Sequence, residues 1–147
     1  MAKWTSRQIR APILPTDDRT LKFSLKYLDI DHERFHFDAW AADTFLKDLV
    51  LAIRHYSQFT LDQFTDQNHD PHRHQFDFAG TPETGGFSNL EEELRGETPW
   101  QFPICPGVHI PPQSAWRVYG IILDDTFYVV WLDTKHQMFP DRRFGME

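Results

Sequence analysis

The stretch Trp116-Arg117-Val118-Tyr119-Gly120-Ile121-Ile122-Leu123-Asp124-Asp125-Thr126-Phe127-Tyr128-Val129-Val130-Trp131-Leu132 decides the fold of this chain. β-Branched and aromatic residues flank Asp124-Asp125-Thr126 on both sides, a composition that suits a pleated, packed surface reversed by a tight turn. The pattern predicts a β-hairpin with arms over residues 116–123 and 127–132. Both arms are nearly continuously apolar, so they are expected as central strands covered on both faces.

Working outward, Trp100-Gln101-Phe102-Pro103-Ile104 predicts a shorter strand, edge-like because of its proline. Residues 106–112 are Pro-rich and read as a loop. Near the other end, Leu21-Lys22-Phe23-Ser24-Leu25-Lys26-Tyr27 alternates strictly, which predicts a half-buried strand with Leu21, Phe23, Leu25 and Tyr27 inward. The period changes over residues 39–56. There Leu46, Leu49, Val50 and Ile53 fall at i, i+3, i+4 and i+7, the stripe of an amphipathic helix, widened by Phe45, Ala52 and Tyr56. Thr60-Leu61-Asp62-Gln63 has capping-box spacing and opens a second, short helix. Residues 66–86 carry Asp, Asn, His, Pro and Gly and no long apolar run, which marks a loop or insertion, with Gly85-Gly86 as a turn. Ser88-Asn89-Leu90-Glu91 is a second capping-box pattern, expected to open a short helix that Gly96 ends as a left-handed cap. Glu91-Glu92-Glu93 suits the start of that helix through the dipole, or else forms an acidic recognition patch. Strand, helix, helix, insertion and three strands make an α+β fold, an antiparallel sheet with a C-terminal β-meander packed on a helical pair.

The 147 residues fit one domain, with residues 1–20 as an irregular arm and 66–99 as a loop and short-helix insertion. Hydrophobic residues at 40% and charged residues at 25% exclude a disordered tail, and no run approaches the ~20 apolar residues of a spanning helix. The first seven residues lack the apolar stretch of a secretory signal, and the lone Cys105 fits a reducing cytoplasm. Cys105 also lacks the surroundings of an activated thiol and reads as a small buried residue. Fifteen Lys and Arg stand against 22 Asp and Glu, a formal net charge of −7. Phosphate-binding proteins are normally basic, so the sign counts against nucleic acid, although protonation of the 8 histidines near pH 6 would cancel much of it.

The element order, closing on Val129-Val130-Trp131-Leu132-Asp133-Thr134-Lys135-His136, resembles the RelE/ParE toxin superfamily over about half the chain. A second resemblance is to uncharacterised bacterial proteins of mobile or defence-associated loci. It is carried by His74, Gly86-Phe87-Ser88-Asn89-Leu90, Trp100-Gln101-Phe102, Tyr119-Gly120, residues 125–133 and His136, and it brings no established activity. The toxin resemblance implies metal-independent RNA cleavage without a cofactor, with RNA and an antitoxin or other protein as partners. Such sites place cations against the transition-state phosphate and an acid–base residue on the 2′-OH proton. Only His136, Lys135 and Arg117 match in kind and place, with His74 as a further histidine of the site. The negative charge and the insertion both depart from the small toxins.

Each candidate has a plainer reading. His136 beside Lys135 and Asp133 could act as general acid or base, or be a strand-end histidine. Arg117 could clamp a phosphate or form an ion pair. His69, His72, His74 and Asp77 could hold zinc, although the spacing matches no specific zinc signature and cysteine ligands are absent, so an ordinary polar loop is the alternative. Trp40, Trp116, Phe127, Tyr128 and Trp131 fit a core better than a base-stacking platform. No phosphate loop, nucleotide fingerprint or nucleophile elbow occurs. Two functions follow: a RelE-like ribonuclease, or a non-catalytic interaction module using an acidic surface.

Overall fold

The computed structural model describes residues 19–35, 42–66, 73–104, 116–133 and 138. The expectations for the arm before residue 19, for Trp40, for Cys105 and for the loop over 106–112 lie outside them. The hairpin forms as read: β4 (Arg117–Leu123) and β5 (Thr126–Asp133) pair antiparallel around Asp124-Asp125. Asp124 takes φ 58°, a left-handed conformation that a short polar side chain tolerates. Preceding them are β1 (Lys22–Ser24), α1 (Ala42–Tyr56), α2 (Leu61–Thr65), β2 (His74–Gln75), α3 (Glu92–Arg95) and β3 (Pro99–Pro103). The result is a mixed α+β architecture with one five-stranded open sheet in the order β1-β5-β4-β3-β2.

The sheet is not wholly antiparallel. β1 joins β5 parallel, with Lys22 opposite Thr126, because α1, α2 and the following strands intervene before the chain returns beside it. β1 is also shorter than its alternation suggests. The Ser24 hydroxyl accepts a hydrogen bond from the Lys26 amide at 3.1 Å, closing a turn that competes with further pairing. Leu25 is consequently exposed, and Tyr27 packs on the opposite side of the sheet from Leu21 and Phe23.

Two apolar clusters sandwich the sheet. On the first face, Leu49, Ala52 and Tyr56 of α1 and Leu61 and Phe64 of α2 meet Trp100, Phe102, Val118, Phe127, Val129 and Leu132. α2 starts as read, with Thr60 Oγ1 accepting from the Gln63 amide and Gln63 Oε1 from the Thr60 amide. The stripe of α1 is rotated from the expected one. Leu49, Ala52, Ile53 and Tyr56 face the sheet, while Leu46 and Val50 face outward, because Tyr56 fits among the rings of Phe59, Phe64 and Phe102.

The second face is covered by the segment expected to be a loop and short-helix insertion. Phe76, Phe78, Phe87, Leu90 and Leu94, with Phe35 and Met138, pack on Tyr119, Ile121, Val130 and Trp131. These apolar residues are too widely spaced to read as an element, yet they supply the lid that two-sided strands require. β2 pairs with β3 through His74–Gln101 and Gln75–Trp100, so β3 is not the edge that its proline suggests. α3 begins three residues later than expected: its N-cap is Glu91 and not Ser88, with no side-chain cap. Gly96 ends it at φ −82°, in the right-handed rather than the left-handed region.

Register shifts between Tyr119 and Gly120, where Val130 is the extra residue of a β-bulge in β5. Val130 and Trp131 therefore both turn to the second face. The bulge leaves the Val130 carbonyl to accept from the Asp29 amide at 3.0 Å, and Trp131 Nε1 donates to Asp29 Oδ2 at 3.3 Å.

Candidate functional site

Cross-strand pairing sets a polar row on the second face. His74 is opposite Gln101, Gln101 opposite Tyr119, and Tyr119 opposite Trp131; one pair further along, Pro103, Arg117 and Asp133 align. Paired residues share a face. The topology thus places His74 and Arg117 on one face of the sheet. Lys135, His136, His69 and His72 lie outside the described residues.

Arg117 and His74 both make hydrogen bonds within the sheet. Arg117 and Asp133 are 6% and 1% exposed, and Arg117 NH1 donates to the Trp116 carbonyl at 3.0 Å. Asp133 Oδ2 accepts from Tyr119 Oη at 2.9 Å and from the Met138 amide at 3.1 Å. Burial pushes the Tyr119 phenol well above its usual value, the Asp133 charge and hydrogen bond push it further, and Arg117 opposes them in part. The phenol is therefore a fixed donor, unsuited to serve as a base. A buried carboxylate in this network is tolerated because a cation lies across the strand and two donors reach it. Arg117 thus lies across the strand pair from the Asp133 carboxylate at the base of the hairpin, the arrangement of the ion-pair alternative.

His74 is occupied at both ring nitrogens. Nδ1 is 2.6 Å from the Gln75 carbonyl and donates to it, which leaves Nε2 to accept from the Gln101 amide at 3.2 Å. It latches the two-residue strand β2 to β3. Asp77 is exposed and accepts from the Ala79 amide at 3.0 Å in a local turn. Among the described residues, no group of three or more His, Cys, Asp or Glu side chains is arranged to hold a metal ion.

Two polar constellations have no sequence signature. Arg73, 4% exposed, donates from Nε to the Phe64 carbonyl at 2.8 Å and from NH2 to the Gln63 and Asp66 carbonyls, each at 3.3 Å. Its guanidinium also lies over the rings of Tyr56, Phe59 and Phe64, so it caps α2 and seals the first core. On the second face, His32 Nδ1 accepts from the Arg34 amide at 2.9 Å, and Nε2 is 3.1 Å from Glu83 Oε1. Arg34 NH1 meets the other oxygen of Glu83, and the imidazole lies against Phe35 and Trp131. With both ring nitrogens engaged, this group clasps two loops over Trp131. Glu83 is 49 residues beyond Arg34, and no local pattern links positions so far apart.

The remaining feature is the outer face of α1. Leu46, Val50 and Leu51 are 58%, 56% and 47% exposed, beside exposed Lys47, Arg54 and His55. At 100° per residue these six positions sweep one half of the helix, opposite Leu49, Ala52 and Tyr56. The acidic residues Glu91, Glu92, Glu93 and Glu97 are exposed on and beside α3, over the second face of the sheet.

No protein-family model, curated protein or solved structure matches the chain. No helix among the described residues is long and apolar enough to cross a membrane.

Proposed function

We propose that this chain is a non-catalytic interaction module, with the outer face of α1 as its principal contact surface. The observation that carries this reading is the clustering of three large, half-exposed apolar side chains on that face, where isolated ones would need no explanation. The internal commitment of Arg117 and His74 supports it, since both groups that would serve phosphate chemistry are spent on holding the sheet together. The exposed glutamates of α3 offer a second, acidic contact surface on the opposite side.

A RelE-like ribonuclease is the second reading. The antiparallel order of β3, β4 and β5 favours it, because that order brings Arg117 beside Asp133, the residue from which the chain continues to Lys135 and His136.

A photo-reactive amino acid at Val50, in the full chain expressed in bacteria, distinguishes the two readings. The interaction module gives a discrete intermolecular adduct that disappears with Leu46→Glu, and expression leaves growth and RNA intact. Growth arrest with RNA cleavage, both abolished by His136→Ala, would overturn it in favour of the ribonuclease.

A further inference from the structure

We infer that His32 is an acid-released latch: its contacts over Trp131 suit the neutral imidazole alone, so protonation opens the clasp and uncovers an aromatic surface of Phe35 and Trp131. This device is independent of α1 and of the reading built on it. His32 Nδ1 accepts from the Arg34 amide at 2.9 Å and from the Phe35 amide at 3.4 Å. Two N–H groups aimed at one ring nitrogen exclude a proton from it. Nε2 stands 3.1 Å from Glu83 Oε1, and an ionised carboxylate only accepts, so the single ring proton is at Nε2. The side chains of His32 and Glu83 are 9% and 13% exposed, which leaves water little access to replace either partner. Glu83 is itself fixed in its loop. Its amide donates to Thr81 Oγ1 at 3.1 Å, and its carbonyl accepts from the Gly86 amide at 2.9 Å.

A second proton would go to Nδ1 and face both amides. The imidazolium therefore gives up the turn over residues 32–35, and with it the ring contacts to Phe35 and Trp131 at centroid distances of 4.9 and 4.6 Å. The charge of Glu83 opposes this release. However, Arg34 NH1 already holds the other oxygen of that carboxylate, so the imidazolium would be the second cation on one anion. The ring's aromatic neighbours, Phe35 and Trp131, carry no charge. On the same segment, Asp29 accepts from Trp131 Nε1 and the Asp31 amide, and Asp31 and Glu33 are exposed. An imidazole free in water takes its second proton at about pH 6.5. Opening of the clasp takes up that proton, so it becomes easier as pH falls and harder as pH rises. Phe35, packed on Trp131 and Tyr119, belongs to the released segment, and its departure bares Trp131.

The test is hydrogen exchange of the full chain, followed by mass spectrometry on either side of the imidazole range, at about pH 7.5 and about pH 5.5. Rates are corrected for the intrinsic effect of pH. Protection of residues 32–35 should fall at least about tenfold at the lower pH, while that of β4 stays the same. His32→Asn leaves a short acceptor for the Arg34 amide and cannot titrate, so its protection should be equal at both pH values. Glu83→Gln keeps an acceptor for Nε2 without the opposing charge, and its clasp should open at the same pH as the parent or a higher one. Nitrogen-15 spectra of the imidazole in the parent chain should show the Nε2–H tautomer at neutral pH. Protection that is unchanged or higher in acid would overturn the proposal, as would a loss that persists in His32→Asn. An Nδ1–H tautomer at His32 would overturn it too, and that measurement requires no variant to fold.

Discussion

Replacing Gly120 by alanine should cost this protein a large share of its stability. Gly120 lies in β4 opposite the bulge, and a Cβ there would sit deep inside van der Waals contact of the Tyr128 carbonyl oxygen and 2.6 Å from Phe127 Cε1. Neither neighbour can yield easily. The Tyr128 backbone is held in the β5 ladder, and the Phe127 ring is packed among Phe23, Phe64 and Phe102 at centroid distances of 5.7, 5.9 and 5.1 Å. Overfilling a packed core costs about 1–3 kcal/mol, and a clash with backbone in the central strand pair belongs at the top of that range. About 3 kcal/mol is a fifth or more of the ~5–15 kcal/mol that holds a typical domain folded, and in a chain of this size it lowers Tm by about 6–12 °C. Gly96→Ala is the matched control: a Cβ at Gly96 meets nothing within 4 Å, and φ −82° suits alanine. That change should leave Tm unaltered or raise it slightly, through the lower entropy of the unfolded chain. Circular dichroism melts of the two variants decide the matter. A Gly120→Ala protein melting within 1 °C of the parent would refute the account of the bulge.

Tyr119→Phe removes one of the donors to buried Asp133 and should cost about 1–3 kcal/mol in urea unfolding; no loss would mean that Asp133 does not depend on the phenol. Arg73→Met keeps much of the side-chain volume but orphans the Phe64, Gln63 and Asp66 carbonyls, so a loss of about 2–3 kcal/mol is expected, with faster amide exchange in α2. The hydrogen bond from Lys22 holds the Asp125 carboxyl below its usual range. Its contribution is therefore present above the ordinary carboxylate pKa of about 4 and is lost as pH falls through the lower folded value. Lys22→Met should flatten that acid limb while costing less than about 1 kcal/mol near pH 7, because the Lys22 side chain is exposed and its charge is salt-screened. An unchanged slope below pH 4 would show that Lys22 is not the cause.

Local chemistry alone was enough for several elements. The aromatic and β-branched arms around Asp124-Asp125 specify a two-sided hairpin. Thr60 and Gln63 cap α2 through contacts three residues apart. A helix over the α1 region follows from a period that no strand shares. All of these depend on neighbours in sequence. Which side of α1 faces inward was not legible, because apolar residues lie on both sides of it and the choice rests on Tyr56 fitting Phe64 and Phe102. The parallel seat of β1, the closing of the second face by Phe76, Phe78 and Phe87, and the bulge that turns Val130 beside Trp131 also arise only when distant segments meet. The candidate site divides the same way. Arg117 and His74 were recognisable as chemistry-bearing residues, but their use depends on Asp133 and Gln101 across the sheet. A cation's role is set by the charge that faces it, and pairing in three dimensions supplies that charge.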